Sequence, residues 1–159
     1  MIKLSGLAIF TSFLFCSKLF HTPEKKELAD PDSIVQFAQQ LLGTPYRYGS
    51  ASPKGFDCSG FVYYVFKNFD LEVPRSSKYY QGFGKDISLD EARKGDVIVF
   101  TGTNLKNRTP GHVGIILNEE GDEIQFIHAS SSKKHPEVCI TYLKEGLYAK
   151  RFLKVVRVF

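Results

Sequence analysis

The chain has 159 residues, 43% hydrophobic and 24% charged, which is enough for one globular domain with a single core. Its formal net charge is +4, a mildly basic balance that suits an anionic polymer or surface. No RNP, zinc-finger or helix-turn-helix pattern accompanies that charge, so a nucleic-acid partner is not expected.

At the N-terminus, Lys3 precedes an apolar run from Leu4 to Phe15, and Cys16 closes it. A run of about a dozen apolar residues is the length of a signal-peptide core and is short for a membrane span. Cys16 is the lipidation candidate, although Phe15 is larger than the residue that usually precedes such a cysteine. Cleavage nearby and retention as an uncleaved anchor are the alternatives, and all three export the domain. Residues 1–16 are expected to be the signal, 17–31 a polar tether bracketed by prolines, and 32–159 the folded domain.

In that domain, Asp32 or Ser33 caps a first helix with the stripe Ile34, Val35, Ala38, Leu41 and Leu42, stopped by Gly43. Gly43 to Ser50 is a loop that presents Tyr46 and Tyr48, and Ala51 to Lys54 is a turn. Then comes Gly55-Phe56-Asp57-Cys58-Ser59-Gly60-Phe61-Val62. Asp57 is a good N-cap for the helical stripe Phe61, Val62, Tyr64, Val65, Phe66 and Phe69. Cys58 falls in the first turn, where free N–H groups and the helix dipole favour the nucleophilic thiolate. Leu71 to Ser77 is a loop through Pro74, with a short helical turn to Tyr80, and Ser88 to Asp96 holds another turn.

The second half changes period. Val97–Phe100, His112–Asn118, Glu123–Ser130, Val138–Leu143 and Phe152–Phe159 read as five strands. Helices first and strands after indicate an α+β domain with a mostly antiparallel sheet. Lys150, Arg151, Lys154 and Arg157 alternate with apolar residues as a solvated strand face would. Cys139 lies in an uncharged strand and reads as a buried structural thiol, although export would permit a disulfide with Cys58.

His21 and His135 sit in polar segments, whereas His112 and His128 sit in strands. A three-residue turn at Glu119-Glu120-Gly121 pairs Ile116 with Ile124 and His112 with His128. The two imidazoles then share a face, which a shift by one residue would undo. That face is largely apolar, and the Cys58 helix is its expected partner. The resulting Cys58–His112–His128 set has a mechanism: one histidine takes the thiol proton, the second orients the first, and N–H groups at the helix start receive the oxyanion. The bland readings are a structural thiol and two satisfied histidines. A zinc site from the same three residues lacks any short ligand spacing, so no metal and no cofactor is expected.

Six ordered motifs carry a resemblance: Gly43-Thr-Pro-Tyr-Arg-Tyr-Gly49, Phe56-Asp-Cys-Ser-Gly-Phe61, Val73-Pro-Arg-Ser76, Lys94-Gly-Asp-Val97, Gly111-His-Val-Gly-Ile115 and Phe126-Ile-His-Ala-Ser130. The chain resembles the NlpC/P60 family of cell-wall cysteine peptidases from about residue 33 onward. The resemblance implies a papain-like α+β fold, with N-terminal helices packed on the five-stranded sheet. It implies hydrolysis of an amide bond in peptidoglycan stem peptides, commonly between D-glutamate and the diamino acid. It makes Cys58 the nucleophile, His112 the general base and His128 the orienting residue. It also makes Tyr46 an oxyanion or substrate contact and puts Asp57, Ser59, Arg75 and Ser76 along the groove. Ser50 stands where many members have glycine, and Tyr48 is a further departure. The expected protein is a monomeric periplasmic lipoprotein acting on stem peptides. A wall-binding scaffold with the same fold, and an amidase or acyltransferase using the same triad, are the alternatives.

Overall fold

A computed structural model describes residues 29–159, so the apolar run, Cys16 and His21 lie outside the described residues. In chain order the elements are α1 (Pro31–Gln39), β1 (Ala51–Ser52), β2 (Gly55–Phe56), α2 (Cys58–Lys67), β3 (Lys85–Ile87), β4 (Val97–Thr101), β5 (Pro110–Ile116), β6 (Gln125–Ala129), β7 (Val138–Tyr142), α3 (Tyr148–Arg151) and β8 (Phe152–Arg157). Short 3-10 turns occupy Ser77–Gly82 and Leu89–Glu91.

The cap of α1 is Asp30, ahead of the expected Asp32 or Ser33. Its carboxylate accepts from the N–H groups of Asp32 at 3.3 Å and Ser33 at 3.1 Å. Pro31 has no N–H to lose and suits the first helical position. The helix also ends early, at Gln39, which leaves Leu42 exposed.

The main sheet has six strands in the order β3-β8-β4-β5-β6-β7, one more than the sequence indicated. The addition is β3, three residues with a largely exposed pattern, which pairs antiparallel along the C-terminal β8. A strand so short and polar carries no alternation to read, and its partner lies far along the chain. β1 and β2 make a separate hairpin that leads into α2.

The sheet is covered on both faces. Against one face, Phe61, Val62, Val65 and Phe66 of α2 pack with Val113, Ile115, Ile127 and Ala129. Against the other, Ile98, Phe100, Ile116, Ile124 and Phe126 form a second core with Tyr148 and Phe152. Of the basic C-terminal residues only Lys150 is exposed, and Lys150 and Arg151 belong to α3 rather than to a strand. Arg157 pairs with Asp96 at 2.8 Å and Lys154 with Asp86 at 2.7 Å. Arg151 donates to the Thr101 carbonyl through Nε at 3.2 Å and Nη2 at 2.9 Å.

The β5–β6 register differs from the expected one by two residues. Ile115 pairs with Ile127 and Ile116 with Phe126, so the connecting loop is longer than a three-residue turn. Asn118 closes it: its Oδ1 accepts the Gln125 N–H at 2.9 Å and its Nδ2 donates to the Glu119 carbonyl at 2.8 Å. A shift by two keeps every side chain on its own face. His112 and His128 therefore remain on one face, as diagonal neighbours, with His128 across from Gly114. A Cβ at Gly114 would lie 3.2 Å from the His128 Cβ and 2.8 Å from the Phe126 ring. Glycine is what lets the two rings approach.

Candidate active site

Asp57 caps α2 as the sequence suggested, its Oδ1 accepting the Gly60 N–H at 2.6 Å. Arg75 holds the same carboxylate with both forks, Nη1 to Oδ1 and Nη2 to Oδ2, each at 2.9 Å. Ser59 completes the knot, donating to Asp57 Oδ1 at 3.3 Å and accepting from Arg75 Nη1 at 3.3 Å. Asp57 is thus committed to holding the helix start and Arg75 rather than to meeting a substrate. Gly60 is required here, because a Cβ would run into the Ser50 carbonyl of the preceding loop.

Cys58 opens onto a cleft of ≈ 420 Å³ lined by Tyr46, Tyr48, Asp57, Ser59, Arg75, Ser76 and Gly111, among others. Every groove residue inferred from the sequence motifs therefore borders one cleft with the cysteine. A larger hollow of ≈ 710 Å³ lies toward the C-terminal end of α2, around Tyr63, Lys67 and Glu72, and is lined by no cysteine or histidine.

The thiolate advantage expected from the helix start is outweighed. Burial pushes the Cys58 thiol up and the Asp57 charge adds to the rise, while N–H groups of Val113, Ser59 and Cys58 itself pull it back. The Val113 contact matters for position: it sets the sulfur against the backbone of β5, one residue after His112. Gly111, one residue before His112, lines the cleft.

His112 and His128 are brought together. His112 Nε2 and His128 Nδ1 are 2.9 Å apart, and the rings meet edge to face at 86°. His112 is 7% exposed and His128 is 0% exposed. The pair does not sit on the face that receives α2, contrary to expectation. Val113, Ile115, Ile127 and Ala129, on the opposite face, are equally apolar, so polarity alone does not say which face the helix takes. The histidines instead stand in an aromatic nest of Phe100, Phe126 and Tyr148. Burial lowers the His112 pKa well below the ordinary histidine range, helped by His128 and by Arg151. Burial, with Arg151 again, brings His128 down to about 3. Both rings are neutral at physiological pH.

Three residues around the histidines were not singled out as site residues from sequence. Tyr148 packs against both rings, tilted to His112 and edge-on to His128, and Arg151 lies over Tyr148 at 5.4 Å. Thr141 Oγ1 is 3.0 Å from His128 Nε2. The signal for Thr141 was the alternation in β7, which puts it on the histidine face once β6 and β7 are paired. Cys139 is partly rather than fully buried, because β7 is an edge strand; it lies across the β6–β7 ladder from His128, with its sulfur 3.7 Å from Nε2. Cys58 and Cys139 are both free thiols. His135 is exposed, Tyr80 is buried, and Tyr79 is 63% exposed. Among the described residues no three His, Cys, Asp or Glu side chains group as a metal site requires.

The NlpC/P60 family pattern matches residues 43–157, which is most of the chain and includes every residue of the cleft and of the histidine pair. The chain belongs to the NlpC/P60 family. It is 37% identical over 134 residues to a probable endopeptidase NlpC of Escherichia coli K12, covering 80% of this chain and 83% of the relative. It is 38% identical over 117 residues to the murein DD-endopeptidase MepS/murein LD-carboxypeptidase of that bacterium, covering 73% of this chain and 56% of the relative. A gamma-D-glutamyl-L-lysine dipeptidyl-peptidase of Bacillus subtilis is 31% identical over 137 residues, 86% of this chain and 44% of the relative. Among solved structures, an NlpC/P60 family protein from Bacillus cereus superposes with a TM-score of 0.71 at 26% identity, covering 82% of this chain and 40% of that one. As an NlpC/P60 protein the chain is an enzyme, a peptidase, and the α+β fold is that of the family.

Proposed function

We propose that this NlpC/P60 protein cleaves the amide bond between D-glutamate and the diamino acid in peptidoglycan stem peptides, with Cys58 as nucleophile. The observation that supports the reading is the 2.9 Å bond between His112 Nε2 and His128 Nδ1, together with the Val113 N–H, next to His112 in β5, against the Cys58 sulfur at the start of α2. That bond occupies one nitrogen of His112 and leaves Nδ1 to act as the base. The Cys58 thiol gives its proton to Nδ1 as sulfur attacks the carbonyl carbon. N–H groups at the start of α2 receive the developing oxyanion, with the Tyr46 hydroxyl on the cleft wall as a further donor. His112 then returns the proton to the leaving amine, and water hydrolyses the thioester with His112 again as base.

The bond assignment draws on the relative named for γ-D-glutamyl-L-lysine cleavage. The relative named as a murein DD-endopeptidase supports a second reading, cleavage of the peptide cross-link. Either substrate lies outside the cytoplasmic membrane, in keeping with an exported enzyme. Digestion of purified sacculi by wild type and Cys58→Ala, with mass spectrometry of the products, tests both. New diamino-acid N-termini in the wild-type digest alone support the first reading, and released cross-link ends support the second. Sacculi left intact by both proteins would leave a non-catalytic wall-binding role, and equal digestion by both would remove Cys58 as the nucleophile.

A further inference from the structure

We propose that Thr141 is a positioning residue for the Cys58–His112–His128 set, its hydroxyl oxygen accepting a hydrogen bond from His128 Nε2–H while His112 is charged. The inference rests on the thiol mechanism proposed above and adds a fourth residue to it.

When His112 has taken the thiol proton, both of its nitrogens carry hydrogen. Its Nε2 then donates, and His128 Nδ1, 2.9 Å away, can only accept. A neutral His128 accepting at Nδ1 must carry its own hydrogen on Nε2. That N–H is in a fully buried ring and needs an acceptor. Two atoms are close: Thr141 Oγ1 at 3.0 Å and Cys139 Sγ at 3.7 Å. The oxygen is at hydrogen-bonding distance, whereas a thiol sulfur is a weak acceptor.

The surroundings explain why a hydroxyl occupies this position. The titratable and charged groups facing His128 are His112 from β5, Cys139 from β7, and Tyr148 and Arg151 from α3. None of these is a carboxylate. With Arg151 nearby, His128 stays neutral, and a neutral acceptor suffices to fix which of its nitrogens holds the hydrogen. The opposite tautomer would turn an N–H toward His112. His112 would then carry its hydrogen on Nδ1 and offer the thiol a donor instead of a base. The ladder builds this geometry: Thr141 pairs with Phe126 and Cys139 with His128, so Thr141 reaches the ring from the diagonal position on the same face.

The test is steady-state hydrolysis of a purified muropeptide by wild type, Thr141→Val, Thr141→Ser and Cys139→Ala, with kcat and KM taken across pH. Thr141→Val should lose about tenfold in kcat, the size of one neutral hydrogen bond, with KM little changed. Its acid limb should move to lower pH, because a charged His112 is less well supported. Thr141→Ser should recover the wild-type kcat, and Cys139→Ala should retain it. Thr141→Ala repeats the deletion without the valine's extra bulk, should thermal unfolding show that valine disturbs β7. Wild-type kcat and an unmoved acid limb in Thr141→Val would overturn the proposal, as would a serine variant as impaired as the valine one. Wild-type hydrolysis that does not depend on Cys58 would overturn the thiol mechanism and this proposal with it.

Discussion

Burial acts on the two reacting groups in opposite directions. It raises the Cys58 thiol and lowers the His112 imidazole, so the resting pair is uncharged at neutral pH. A neutral thiol attacks only as its proton leaves, which makes His112 a true general base rather than half of a standing ion pair. The pH profile follows from the sign of the His112 shift. The base works while unprotonated, and its pKa lies well below the ordinary 6.5. Activity should therefore be level through neutrality and fall only on the acid side of the usual histidine range. A histidine base left at its ordinary pKa would instead put that limb near neutrality. Measuring kcat/KM from about pH 4 to 9, where circular dichroism shows the fold intact, checks this. An acid midpoint at or above 6.5 would mean that burial does not tune His112 as described.

The β5–β6 hairpin is the element on which the candidate site depends, and Gly114 is its tightest point. A methyl group there would lie 2.8 Å from the Phe126 ring, 2.9 Å from the Ile127 carbonyl and 3.2 Å from the His128 Cβ. One of these contacts is backbone and cannot swing away. Gly114→Ala should cost about 1–3 kcal/mol in urea unfolding, as overpacked cores do. It should also lower kcat more than it raises KM, because the displaced side chain is His128. A variant with wild-type stability and kcat would mean that the strands part without cost. This hairpin also shows how far sequence reached. The shared face of His112 and His128 was legible because strand alternation has period two and survives an even error in loop length. The actual register was not, because Asn118 folds its side chain into the turn and lengthens it. Which face receives α2 was likewise hidden, since Val113 and Ile115 on one side match Ile116 and Phe126 on the other in hydrophobicity. Cys58 and its cap could be read because capping is local. Thr141 and Arg151 could not, because their partners, His128 and the Thr101 carbonyl, lie in other elements.

The whole fold carries the cost of keeping two histidines neutral inside it. His128 titrates near 6.5 when exposed and at about 3 when folded, and His112 shifts in the same direction. Between those limits the unfolded chain binds protons that the folded chain refuses. The sign of the linkage is then fixed: stability is fully present above 6.5 and is lost as the pH falls toward about 3. Each pKa unit is worth about 1.4 kcal/mol, so the loss amounts to several kcal/mol. That is a large part of the roughly 5–15 kcal/mol that holds a domain together. The urea midpoint should accordingly drop between neutral pH and about pH 4, steeply enough to approach unfolding without denaturant. Carboxylates also become protonated over this range, but they do not belong to the buried pair. His128→Gln separates the two contributions, because it removes one of the refused protons and keeps a buried side chain that can hydrogen-bond. Its midpoint should fall less with acid than that of the wild type. Parallel losses in the two proteins would assign the acid sensitivity to the carboxylates, and an unchanged wild-type midpoint would mean that the histidines are not held neutral by burial at all.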